Sequence, residues 1–342
     1  MAQINKANEY FNTKLYTGNG STQAVTGVNF QPDWTWIKCR NDSQEPRLVD
    51  SVRGTTKYLD ASLAIAELTD TNILTSFDTD GFTLGDDAIS NLNGNTHASW
   101  NWLAGGTASS NTDGTITSSV SANTTSGFSV VTWTGTGANA TIGHGISTPQ
   151  MIILKNRDSA ENWIVGHNSN GWTKYQSLNL SDSVSTASNI WQNTAPTSSV
   201  FSIGDSGKVN GSGNGIVAYC FAEKKGFSKF GSYVGNGDAS NNTFVYTGFK
   251  PSFLIIKDTA TNSWIMKDNK MNPYNATYDN FLLPDLANAE SSGTYKVCDF
   301  LSNGFKIGDT NSNYGGSGRT YIYMAFAENP LVGTNNIPAT AR

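Results

Sequence analysis

The sequence predicts an all-β protein made of three tandem, homologous, antiparallel β-sandwich-like domains with little helix. Three observations lead there. Charged residues make up only 14% of 342 residues, against 11% aromatics and 34 glycines, a balance that suits sheets joined by tight turns. Short β-branched runs such as Met151–Lys155 ("MIILK") and Phe253–Lys257 ("FLIIK") are bounded by turn residues, which reads as strand. A frame of four anchors occurs three times, the signature of an internal repeat.

The anchors come in a fixed order. An aromatic with a glycine turn opens each copy: "YTGNG" at 16–20, "WTGTG" at 133–137 and "YVGNG" at 233–237. A strand follows in which a proline stands six residues before a lysine: Pro32/Lys38, Pro149/Lys155 and Pro251/Lys257. Proline at the head of a strand loses no ladder bond, and the apolar run packs both ways or against a facing sheet. The third anchor is "FTLGD" at 82–86, "FSIGD" at 201–205 and "FKIGD" at 305–309. Lys38 to Gly85, Lys155 to Gly204 and Lys257 to Gly308 span 47, 49 and 51 residues. An aromatic strand closes each copy, at Trp102, Phe221 and Phe326. These anchors place domains at 9–104, 127–223 and 230–328. Segment 105–126 is a linker or an extra hairpin at Asp113-Gly114, and 329–342 is an extended C-terminal arm, because Pro330 and Pro338 disfavour helix and central strand. Helix is expected only at 61–68 ("ASLAIAEL") and, briefly, at 6–11.

Charge and motif content narrow the function. Lys and Arg number 22 against 27 Asp and Glu, for a net charge of −5, and no basic run offers a nucleic-acid groove. No apolar stretch is long enough to predict a membrane span, and the N-terminal residues show no apolar core of a secretory signal. The three cysteines, Cys39, Cys220 and Cys298, are far apart and read as buried free thiols. None of the three histidines sits in a catalytic frame, and no serine-nucleophile elbow, zinc spacing or phosphate loop is present. "DTDGFTLGDD" at 78–87 begins like a calcium loop but has Ile89 where the bidentate Glu belongs, so Asp86, Asp205 and Asp309 read as turn formers. No catalytic residue, cofactor or metal is expected. Trp163 and Trp264, at matching strand positions, read as core. Trp172, Trp191, Tyr274 and Tyr314 fall in loop-like segments and are the candidates for facing a ligand, since exposed Trp and Tyr stack on sugar rings.

The stretches "NEYFNTKLYTGNGSTQ", "SVRGTTKYL", "TSFDTDGFTLG", "NGSGNGIVAYCFAEKKGFSKFGSYVGNG" and "YIYMAFAENPLVGTNNIPATAR" resemble a repeat family of virion structural proteins of tailed phages of the marine, cyanophage type. The resemblance implies a non-enzymatic virion component, either a tail fibre or other surface appendage contributing to host attachment, or a capsid decoration or head-fibre protein. It implies assembly in the bacterial cytoplasm and other virion proteins as partners. A host surface glycan or protein is the implied receptor, and homo-oligomerisation as a trimer is expected by analogy and from surplus apolar surface. The rival from another class is a carbohydrate-binding or depolymerising tailspike, and depolymerisation needs paired carboxylates.

Overall fold

The computed structural model describes residues 2–272 and 276–332, and the chain is all-β with several antiparallel sheets. Three large sheets form in sequence order. The first orders its strands Phe11–Thr17, Thr96–Trp102, Trp34–Cys39, Arg47–Asp50, Lys57–Asp60 and Leu68–Thr69. The second has Phe128–Thr134, Gly215–Ala222, Pro149–Asn156, Ile164–His167, Lys174–Ser177 and Ser185–Thr186 in the same succession. It is extended at its outer end by Ser109–Asn111 and Ser118–Asn123, so the 105–126 segment holds an extra hairpin. The third runs Ser228–Val234, Thr320–Pro330, Phe249–Asp258 and Ile265–Asp268.

In each large sheet the closing strand lies beside the proline–lysine strand. Trp34 faces Trp102, Met151 faces Phe221 and Phe253 faces Phe326. Four residues on, Lys38 faces Ala98, Lys155 faces Val217 and Lys257 faces Ile322. Pro149 and Pro251 lie at register shifts, where a missing N–H breaks no regular ladder.

Because strand side chains alternate between faces, each sheet has two apolar faces to cover. The outer face of the first sheet, with Ile37 and Val49, packs on a small sheet of strands Gln23–Thr26, Gly81–Leu84 and Leu74–Asp78. The outer face of the second, with Ile152, Leu154, Ile216 and Ala218, packs on strands Ala140–Gly143 and Val200–Ile203. Strands Phe244–Tyr246, Gly304–Ile307 and Cys298–Leu301 form the third small sheet. Here the sandwich expectation holds.

The inner faces do something that a row of separate domains would not. Trp34, Trp36, Trp100 and Trp102 of the first sheet join one continuous core with Met151, Ile153, Tyr219 and Phe221 of the second and Phe253, Ile255, Met324 and Phe326 of the third. The three closing aromatics meet in a triangle. Trp102–Phe221, Trp102–Phe326 and Phe221–Phe326 have ring centroids 6.3, 5.9 and 6.2 Å apart, all edge-to-face, at 67°, 73° and 66°. Edge-to-face contact sets the positive rim of one ring against the negative face of the next, and three rings can satisfy this in a closed cycle. The apolar surface that argued for a trimer is largely used within this chain.

Helix is scarce, as expected, and of the two expected places only 6–11 holds any, as a 3-10 turn. Residues 61–68 are not helical. Ala61 is buried, and the N–H of Glu67 donates to Arg157 O across to the second sheet, so tertiary bonding overrides helix propensity. Single helical turns occur instead at Ser188–Trp191 and Gly207–Asn210, with a 3-10 turn at Ala7–Glu9. The closing strand runs through Pro330, opposite Phe249, so the arm begins later than 329, and residues 333–342 lie outside the described residues. The N-terminus docks within the chain: Gln3 N donates to Lys225 O at 2.9 Å, and Lys225 N returns to Gln3 Oε1 at 2.9 Å.

Candidate functional site: the seams between sheets and the open surfaces

The polar groups with the most unusual surroundings lie at the three seams between large sheets. At each seam a main-chain N–H reaches the carbonyl two residues beyond an anchor lysine. Glu67 N donates to Arg157 O at 2.6 Å, Val184 N to Thr259 O at 2.9 Å and Glu290 N to Arg40 O at 2.7 Å. The seams run first to second, second to third and third to first, so they close a ring. Side chains follow the same cycle. Tyr219 Oη donates to Asp50 at 2.8 Å, His167 Nε2 lies 3.2 Å from Tyr323 O, and Trp100 Nε1 donates to Asp268 at 2.9 Å. Trp163 and Trp264, expected in the core, are buried there and donate their indole N–H across seams to Asp60 O at 2.7 Å and Ser177 O at 2.9 Å.

The anchor lysines explain their own recurrence. Lys38, Lys155 and Lys257 are almost wholly buried, and their ammonium groups sit among backbone carbonyls. Lys155 Nζ donates to Asn156 O, Ser159 O and Glu161 O at 2.9, 3.3 and 2.7 Å, which matches its three protons to three acceptors. Lys257 reaches Asp182 O at 3.0 Å in the second region, and Lys38 reaches Leu286 O at 2.7 Å in the third. Burial pulls the pKa of each down to about 8, because the low dielectric disfavours the charged form.

Charge is concentrated at two seams. The fully buried Arg53 binds Asp50, Glu67 and the Tyr219 hydroxyl, while Arg157 binds Glu67 at 2.8 Å from both Nε and Nη2. Arg40 forks onto Glu290 at 2.6 and 3.0 Å. Perturbed groups of this kind also mark active sites. Here Arg53 and Asp50 are wholly enclosed, and their bonding is met by protein groups, which makes the cluster a fastener.

The histidines and cysteines are buried as well. His97, His144 and His167 are buried and held below the usual imidazole range by desolvation, the latter two at about 4. Cys39, Cys220 and Cys298 are free and buried, with thiol pKa values pushed up by burial, Cys298 to about 12. Among the described residues no group of three or more His, Cys, Asp or Glu is placed to hold a metal. Asp309 is a turn former: it accepts from Asn311 N, Lys296 N and Tyr314 Oη. In the first region that role falls to Asp87, which accepts from Ile89 N and Ser90 N, rather than to Asp86.

The proposed ligand-facing aromatics do not face solvent. Trp172 and Trp191 are buried in the outer core of the second sheet, edge-to-face at 5.4 Å. They sit over Gly166, where an added Cβ would stand 2.5 Å from the Trp172 ring. Tyr314 is buried and donates to Asp309 at 2.8 Å. Trp191 ends the helical turn Ser188–Trp191, and all three segments fold over apolar faces and carry these rings inward. Tyr274 lies outside the described residues. Among the described residues the exposed aromatics are Phe244, Tyr246, Tyr278 and Tyr295. A cleft of about 660 Å³ opens beside Asp33, Ser51, Thr55, Phe77 and Gly106. The Asp33 carboxylate is engaged there by Ser51 Oγ, Ala104 N and Gly106 N at 2.7, 2.8 and 3.2 Å, so it ties down the chain where the first sheet leads into 105–126.

Residues 6–330 match the sequence family described as a domain of unknown function, DUF7483, and the chain belongs to that family. No curated protein and no solved structure matches the chain significantly.

Proposed function

We propose that this protein is a non-catalytic structural component of a tailed-phage particle, built from three copies of one β unit closed into a ring. The tail fibre or another surface appendage is the favoured place, with capsid decoration as the alternative. The assignment to a particle rests on the resemblance carried by the motifs quoted above. The observation that supports a building-block role is the closed cycle of seams: main-chain bonds, Lys38, Lys257, His167 and the Arg53–Asp50 cluster with Tyr219 hold sheets together. In this reading the partners are other virion proteins, assembly takes place in the host cytoplasm, and any host receptor meets surface loops on a stiff frame.

The test is mass spectrometry of purified particles, with surface labelling before digestion. The reading expects the protein in stoichiometric amount with labelled lysines confined to exposed positions such as Lys174. Its absence from particles would overturn the reading. Reproducible cleavage of host polysaccharide by the purified protein, lost on changing one carboxylate, would replace it with a depolymerase.

A further inference from the structure

The three small sheets each have one edge strand in a corresponding place, and the chain treats those edges differently. In the second, strand Ala140–Gly143 is sealed by the inserted segment. Ile116 N donates to Thr141 O at 3.2 Å, Thr115 Oγ1 accepts from Thr141 N at 2.8 Å, and Ser118 Oγ donates to Gly143 O at 2.9 Å. In the first, strand Gln23–Thr26 is open, with only the small side chains of Ala24 and Thr26 exposed. In the third, strand Phe244–Tyr246 presents two aromatic side chains, with Phe244 45% and Tyr246 59% exposed, beside Val234 at 55%. Thr243 joins them, its hydroxyl donating to Val234 O at 2.9 Å.

The register shows which main-chain groups are available. Ile307 N donates to Thr243 O, and Thr247 N donates to Asn303 O. Residues 243, 245 and 247 therefore bond toward strand Gly304–Ile307. By the period of two, the N–H and C=O of Phe244 and Tyr246 point to the open edge. Natural edges are usually protected by charge, bulge or cover. Residues 239–249 carry no charge, and no described segment covers this strand.

We propose that this edge is a self-association surface, on which two copies of the chain pair their Phe244–Tyr246 strands antiparallel about a twofold axis at Val245. The sequence Thr243-Phe-Val-Tyr-Thr247 is nearly palindromic. Antiparallel self-pairing sets Phe244 opposite Tyr246 of the partner subunit and Tyr246 opposite the partner's Phe244. Those are the residues whose main-chain groups face outward, so each opposed pair exchanges two N–H···O=C bonds, four in all. The same register sets aromatic against aromatic across the strands, a favourable cross-strand pair. A twofold contact repeats one patch against itself, and a neutral strand brings no like charges together there. The surface is small, so the dimer is weak.

Sedimentation equilibrium of the full chain from low to high micromolar concentration tests this. The wild type should pass reversibly from monomer to dimer. Phe244→Lys and Tyr246→Lys point outward and leave the fold intact, as circular dichroism should verify, and each should raise the dimer Kd by at least about tenfold by setting like charges across the axis. Ala24→Lys, on the corresponding edge of the first small sheet, should leave the Kd unchanged. A wild-type monomer at all concentrations, a trimer, or a dimer insensitive to both edge lysines would overturn the proposal.

Discussion

The seam between the first and second sheets and the seam between the second and third share one main-chain scheme but differ in side chains. Both carry the N–H to carbonyl bond beyond the anchor lysine and an indole N–H donated across, from Trp163 and from Trp264. The first adds the network of Arg53, Asp50, Glu67, Arg157 and Tyr219, enclosed at Arg53 and Asp50. The second has Val184 and Thr259 where Glu67 and Arg157 would stand, and uses the neutral Gln176, donating to Asp258 O at 2.9 Å. Ring closure at this seam therefore needs no carboxylate–guanidinium pair, and the charged group that crosses it is Lys257, caged by carbonyls. Taking ions out of water offsets most of their attraction, so the ionic seam need not be the stronger one. It should, however, be the more easily damaged one.

The largest expected difference is between single deletions at the two seams. Arg53→Met leaves the buried Asp50 carboxylate without its cation, while Glu67 keeps Arg157, and should destabilise the fold by about 3–5 kcal/mol. Gln176→Met removes two neutral hydrogen bonds, to Asp258 O and from Asn170 Nδ2, while Asp258 O keeps Lys257 Nζ, and should destabilise by about 1–3 kcal/mol. Urea denaturation of the two variants measures both, and equal losses would break the comparison.

The lysines give a subtler effect, through pH. Folded Lys38, Lys155 and Lys257 lose their protons near pH 8, whereas an unfolded lysine does so near about 10.4. Between those values the unfolded chain binds more protons, so this contribution to stability rises with pH, while below pH 8 the burial penalty is fully present. Denaturation midpoints of wild type relative to Lys155→Met should therefore increase from pH 7.5 to pH 9.5. Parallel profiles would mean that the lysine titrates normally.

The smallest effect sharpens the comparison by construction. Val184→Glu with Thr259→Arg installs at the second seam the pair found at its counterpart. Because Arg157 of that counterpart is partly exposed, the gain should be only about 0.2–1 kcal/mol. A double-mutant cycle reads it, and a coupling near zero would show that the main-chain frame does not set the two side chains in reach of each other.

Much of this architecture was legible in the sequence, because each anchor has one physical task wherever it occurs. The lysines needed carbonyl cages, and the closing aromatics needed one another. What the second apolar face of each strand packs against was not legible. "MIILK" reads the same whether its inner face meets a private sheet or a core shared by three. For the same reason Trp172, Trp191 and Tyr314 read as loop aromatics, though the loops that carry them fold onto apolar faces. Phe244 and Tyr246 carry no signal of their own, because aromatic, valine, aromatic is also the pattern of an ordinary buried strand. The inward Val245 between two outward rings becomes visible only once the sheet has an edge.

The central claim is that the three sheets form one ring around a common core, and differential scanning calorimetry of the wild type and Phe326→Ala tests it most directly. Phe326 touches both Trp102 and Phe221, so its loss should weaken all three sheets together. The account predicts one transition in each protein, with calorimetric and van't Hoff enthalpies equal, and a variant transition lowered as a whole by about 3–5 kcal/mol of stability. Two or three separable transitions, of which Phe326→Ala shifts only one, would contradict it.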